Sequence, residues 1–224
     1  MNQKNRIDVR TLAVLAMLSA IACVLMLIVR INFMPAAPFL IYDPKDIIIV
    51  IGGFLYGPLA VIPMALIVAF VEMYTVSADG WVGFLMGVIS SCAFSVPAAL
   101  IYKHKHTLAG ALIGLVVGWL FVTGVMVLWN YIVTPVYRGF PREAIIPMLP
   151  TVFMPFNLIK YGLGAATTML IYKPLSLALK KMNILKKTER KASIKENFII
   201  GVILAVCLAV IPCIFLVLVL RGVI

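Results

Sequence analysis

The run Thr11–Ile31 is long and apolar enough to cross a bilayer, and several later runs reach the same length. In lipid, every backbone N–H and C=O must be satisfied internally, so only helices and closed barrels can span. The alternating polar and apolar residues of barrel strands are missing. We therefore expect an all-α integral membrane protein. A hydrophobic content of 64% over 224 residues, with mean hydropathy +1.14, agrees with that class. The formal charge of +11 fits basic cytoplasmic loops better than a nucleic-acid partner.

Breakers and charges divide the chain into seven expected helices: 11–31, 44–56, 58–76, 81–102, 107–132, 151–173 and 197–220. The sixth is expected to continue in amphipathic form to Lys181, and a basic connector runs through Lys195. The second helix starts at Asp43-Pro44-Lys45-Asp46. Here Asp43 suits the N-cap, Pro44 the first helical position, and Asp46 a bond back to orphan N–H groups. It then has only about 10 apolar residues, roughly 15 Å of helix. The preceding loop should therefore enter at membrane depth, where irregular backbone must be buried by protein or line a cavity.

Gly57-Pro58 either kinks one helix or separates two, and charge decides between them. With two helices and the N-terminus inside, 13 of the 19 basic residues fall on cytoplasmic segments. A single helix would put the basic cluster of 173–195 outside. The two-helix reading places the loop before Asp43 and the 133–150 loop together on the outer face. It leaves the C-terminus outside.

Few residues within the apolar runs can carry chemistry. Lys160 lies about 13 Å along the sixth helix at the usual rise. It is either a functional cation or a side chain snorkelling to the interface. Asn157, three residues earlier, shares its face. Asn130 is expected to end the fifth helix, where it suits either a binding pocket or the polar end of an aromatic belt with Trp129 and Tyr131. Glu72 is interfacial or pairs with a loop cation. His104 and His106 sit in a basic turn and carry no expected metal. Cys23, Cys92, Cys207 and Cys213 lie in apolar runs without ligand spacing and read as packing residues. Ala16 and Ala20 form a small-xxx-small face, suited to internal packing or to an external helix. The phosphate-binding GxxxxGK[ST], HExxH and nucleophile-elbow motifs are absent.

Three stretches carry a resemblance: FLIYDPKDI with IGGFLYGP, then NYIVTPVYRG at 130–139, then FNLIKYGLG at 156–164. In this order they resemble the riboflavin-binding S components of energy-coupling factor (ECF) transporters, over about residues 8–182. The resemblance implies a six-helix substrate-binding domain over 1–182. Residues 183–224 then form a basic connector and an additional helix. It also implies capture of riboflavin from outside, with a membrane coupling protein and two ATPase subunits driving import. The chain itself would be no enzyme and hold no cofactor. Asn130, Asn157 and Lys160 match positions that contact flavin. Phe39, Leu40, Tyr42 and Asp43, with Trp129 and Tyr131, complete the expected site. The resemblance assigns Ala16 and Ala20 to docking on the coupling protein. Two departures stand out: Ile48 replaces an expected proline, and the last helix is additional. The competing readings are an S component for another vitamin or a flavin nucleotide, and a lipid-modifying intramembrane enzyme. The second would need a catalytic pair, which the sequence does not contain.

Overall fold

The computed structural model describes residues 8–35, 37–181 and 194–221. Its helices are α1 (Val9–Ile28), α2 (Lys45–Tyr56), α3 (Val61–Thr75), α4 (Gly80–His104), α5 (Leu108–Arg138), α6 (Arg142–Met148), α7 (Met154–Lys181) and α8 (Ile194–Leu220). A 3₁₀ turn, Pro58–Ala60, leads into α3, and a π turn, Leu149–Phe153, joins α6 to α7. Among the described residues, five helical stretches are long and apolar enough to span a bilayer. The bent α8 makes a sixth. This is the expected all-helical membrane architecture.

The break at Gly57-Pro58 does separate two helices. α2 is the central one, packed on α1, α3, α4 and α7. Every residue from Lys45 to Phe54 is buried, which explains why α2 is apolar on all sides rather than along one stripe. Ile48 is simply part of this buried helix.

Packing within lipid rests on close fit rather than on hydrophobic expulsion from water. The α4–α5 contact shows this at Gly114 and Gly118. A Cβ on Gly114 would lie 2.6 Å from the Ala98 carbonyl oxygen, and one on Gly118 would lie 2.3 Å from that of Phe94. Only hydrogen at these positions lets the backbones approach so closely.

The connections gather at two ends. At one, Arg138 pairs with Asp79, and Arg30 Nη2 donates to the Val76 carbonyl at 3.5 Å. This end collects the α1–α2, α3–α4 and α5–α6 connections. At the other, Phe54 and Tyr102 have ring centroids 4.6 Å apart, and the Tyr102 and Tyr172 hydroxyls share a hydrogen bond. The helix ends thus alternate as the charge argument requires.

Several expectations are corrected. α1 ends at Ile28, not Ile31, because Ile31 pairs backbone to backbone with Tyr42. Asp46 does not bond back to its own helix start; its carboxylate accepts from the Ser91 hydroxyl of α4. Pro44 precedes α2 rather than opening it, and Asp43 Oδ1 accepts from the Lys45 N–H at 3.3 Å. α5 does not stop near 132. It runs through Pro135 to Arg138 and closes on Gly139, whose φ of 69° is the left-handed cap conformation. The expected 133–150 loop is mostly helical, with only 139–141 lying between α5 and α6. Pro147 and Pro150 each lack a donor, which loosens the ladder into the π turn. Cys207 and Cys213 are exposed on α8 rather than packed. Most of the basic connector, 182–193, lies outside the described residues.

Candidate binding site

Loop 1, residues 29–44, drops into the bundle instead of lying over it. Met34, Ala37, Leu40 and Asp43 are all buried. The short α2 makes this possible by leaving space above its first turn. A cavity of about 260 Å³ opens there, close to the lower end of the roughly 300–1,000 Å³ usual for small-molecule pockets. Its walls come from loop 1, α2, α3, α4, α5 and α7.

Six of the nine expected ligand contacts line this cavity: Phe39, Leu40, Asp43, Asn130, Asn157 and Lys160. Asn130 is not at a helix end but one turn from Met126 and Thr134 on the inward face of α5. Its Nδ2 donates to the Met126 carbonyl at 2.7 Å, and its Oδ1 accepts from the Thr134 hydroxyl at 2.9 Å. Asn157 Nδ2 donates to the Phe153 carbonyl, also at 2.7 Å. Both amides are buried and held by the helices that carry them.

Lys160 does not snorkel. Its Nζ donates to Asp43 Oδ2 at 2.8 Å, so the cation points inward. The same carboxylate oxygen lies 3.6 Å from Lys45 Nζ, and Lys45 also pairs with Glu72. An alternating line of charge, Lys160–Asp43–Lys45–Glu72, thus crosses the cavity wall from α7 to α3. Burial alone pushes the Asp43 carboxyl up, but Lys160 and Lys45 outweigh it and hold it below the usual carboxylate range. Asp43 is therefore ionised throughout the physiological range.

Tyr42, Trp129 and Tyr131 do not line the cavity. Tyr42 is engaged through its backbone with Ile31, and its ring tilts toward Phe33 at 6.4 Å. Trp129 packs against the central core, and Tyr131 is exposed. The reason is the helical repeat. Neighbours of Asn130 are turned about 100° from it, so 129 and 131 cannot share its face while 126 and 134 do.

Sequence reasoning missed several lining residues, notably Lys45, Arg30, Arg138, Phe156 and Tyr161. The signal was available for Lys45, since three charges in four residues at the start of an apolar helix need buried partners. Arg138 lies over the Phe39 ring at 4.6 Å, and both residues line the cavity. Arg30 Nη1 and Arg138 Nε are buried without a hydrogen-bond partner among the described residues.

Chemically, two fixed amides supply both donors and acceptors and Lys160 supplies donors. Phe39, Leu40 and Phe156 add apolar surface. The arrangement suits a flat ligand that carries both donors and acceptors along its edge.

Ala16 and Ala20 are exposed, whereas Val14, Leu18, Ser19, Ala22 and Met26 form the buried face of α1. Internal packing is thus excluded as the role of the small-residue face in this fold.

Comparison with known proteins gives consistent matches. A family model for the substrate-specific component of ECF transporters matches residues 10–172. Riboflavin transporter RibU of Staphylococcus aureus (strain TCH60) is 30% identical over 192 residues, spanning 81% of this chain and 100% of the relative. Riboflavin transporter FmnP of Bacillus subtilis (strain 168) is 32% identical over 164 residues, spanning 68% of this chain and 84% of the relative. A solved structure described as the S component of a bacterial ECF transporter superposes with a TM-score of 0.64 at 29% identity. That match covers 76% of this chain and 98% of the other.

Proposed function

Since the chain belongs to the family of ECF-transporter substrate-specific components, we propose that its cavity captures riboflavin from outside for import. The observation that carries this reading is the convergence of Asn130, Asn157 and Lys160, from two helices, on one cavity beneath Phe39 and Leu40. The flavin ring system is flat, and its uracil-like edge alternates donors and acceptors, which the two amides and the ammonium complement. Its apolar portion matches Phe39, Leu40 and Phe156. The names of the two relatives support the same substrate.

The protein is a binding subunit of a transporter, not an enzyme. Its partners in this proposal are a membrane coupling protein and two ATPase subunits, since the chain has no phosphate-binding motif of its own. The exposed Ala16–Ala20 face is the proposed dock for the coupling protein, because small residues let a helix approach closely. The proposed orientation puts the basic end, with Lys103 and Lys105, in the cytoplasm and the cavity outside.

Mass spectrometry of ligand carried through purification tests the substrate. Riboflavin at near one equivalent per protein, with flavin absorbance, is the expected result. A protein that carries no flavin and does not quench added riboflavin fluorescence overturns the reading.

A further inference from the structure

The family match ends at residue 172, and α8 lies beyond it. Its position in the fold is specific. α8 runs along α7, with Pro212 seated at Gly162. A Cβ there would meet the proline Cγ at 2.2 Å and the Trp119 ring at 2.9 Å. The axis bends by 40° between Val202–Val210 and Pro212–Val219. Beyond the bend, Val219 is buried in the same apolar cluster as Met34, Ala37 and Leu40 of loop 1, together with Ile145, Phe153 and Phe156. Leu216 packs against that cluster as well. The opposite side of α8, including Ile214 and Val217, is exposed.

Loop 1 has little regular backbone bonding to hold it. Among the described residues of 31–42, the backbone-to-backbone bonds are Ala37 to Met34, Leu40 to Ala37, and the Ile31–Tyr42 pair; the Asn32 side chain adds two more, donating to the Pro38 carbonyl and accepting from the Met34 N–H. Asp43 anchors the foot of the loop to Lys160, but the stretch around Met34–Leu40 is held to the rest of the bundle by side-chain packing, and a segment held in that way opens locally when packing is lost. Leu40 and Phe156 belong both to this cluster and to the cavity wall. The cluster is therefore the back of the binding site, and α8 closes its far side.

We infer that the outer half of α8 is a brace that holds loop 1 against α7, with Leu216 and Val219 as positioning residues that slow departure of the bound ligand. The ligand part of this inference rests on the function proposed above; the brace itself does not.

The test uses full-length protein in lipid nanodiscs. Without ligand, amide hydrogen exchange at Ala37, Leu40 and Tyr42 should quicken about tenfold or more in L216A/V219A, while α4 and α5 keep their protection. The exposed-face control I214A/V217A should match wild type, and the conservative V219I should retain protection. Riboflavin release, followed by recovery of its fluorescence, should accelerate in the same variant order. Where the double variant does not fold, L216A alone provides the comparison. Unchanged exchange in loop 1 overturns the brace. Faster exchange with unchanged release overturns the role in ligand retention. Absence of riboflavin binding in wild type removes the proposed substrate, and the exchange measurement still decides the brace.

Discussion

Lys160 Nζ and Asp43 Oδ2 lie 2.8 Å apart although 117 residues separate them in the chain. This contact joins α7 to the foot of loop 1, and both groups are largely shielded, at 11% and 4% side-chain exposure. A buried pair of this kind contributes little net stability while intact, but losing one partner costs about 3–5 kcal/mol. Here Lys45 remains beside Asp43 and moderates that loss. We expect Lys160→Met to fold with a lowered melting temperature. Its riboflavin affinity should fall by about 1.5–3 kcal/mol, the value of a hydrogen bond to a charged donor. Adding Asp43→Asn should recover part of the melting temperature but not the affinity. Thermal melts and fluorescence-quenching titrations check both; wild-type affinity in Lys160→Met would remove Lys160 from the site.

The same pair sets a pH expectation. The Asp43 carboxyl is held by its two lysines below its unfolded value of about 3.9. Its contribution is therefore present above that unfolded value and is lost as pH falls through the lowered folded value. The Asp43 contribution to stability, measured as the melting difference between wild type and Asp43→Asn, should stay constant from about pH 5 to 8. A difference that declines already near neutral pH would show that Asp43 is not ionised by its lysines.

Asn130 is oriented by Thr134, whose hydroxyl donates to its side-chain oxygen. Thr134→Val keeps the shape but removes that donor. Riboflavin binding should weaken by about 1 kcal/mol, and by about 1–3 kcal/mol in Asn130→Ala or Asn157→Ala if a buried ligand group loses its partner. An Asn130→Ala protein that binds as tightly as wild type would place the ligand against another wall.

The aromatic residues separate by position. Phe39 lines the cavity beneath the Arg138 guanidinium, whereas Tyr131 faces outward. Phe39→Ala should weaken binding by about 1–3 kcal/mol through lost apolar contact, and Tyr131→Ala should leave it unchanged. Titration of the two variants side by side tests the assignment. Equal losses would mean that the outward face of α5 takes part.

Ala16→Leu with Ala20→Leu should abolish transport in cells that hold the full importer while the purified variant binds riboflavin normally. Bulk on that face blocks close helix approach but is remote from the cavity. Loss of binding in the purified variant would assign the face to the integrity of the bundle instead.

Orientation is testable without ligand. Cysteine probes in a cysteine-free background should label from outside intact cells at position 142 and not at position 105. The reverse pattern would invert the protein in the membrane.

What the sequence by itself determined are the features set by local chemistry. Apolar length dictates membrane helices, and Gly57-Pro58 breaks one because proline lacks a donor and glycine a side chain. Basic residues sort the connections into two groups, and the structure gathers those groups at opposite ends. Asn157 and Lys160 share a face because three residues make nearly one helical turn. Tertiary structure alone decided the partners. Nothing near Lys160 names Asp43, and nothing near Glu72 names Lys45, because those contacts depend on how α7, α3 and loop 1 cross. It also decided that Asn130 rather than Trp129 or Tyr131 faces the cavity, since the rotation of α5 is fixed by its glycines against α4. The length of α5 past Pro135 follows the same rule. A missing hydrogen bond ends an isolated helix, but within a bundle the surrounding packing carries the helix through it.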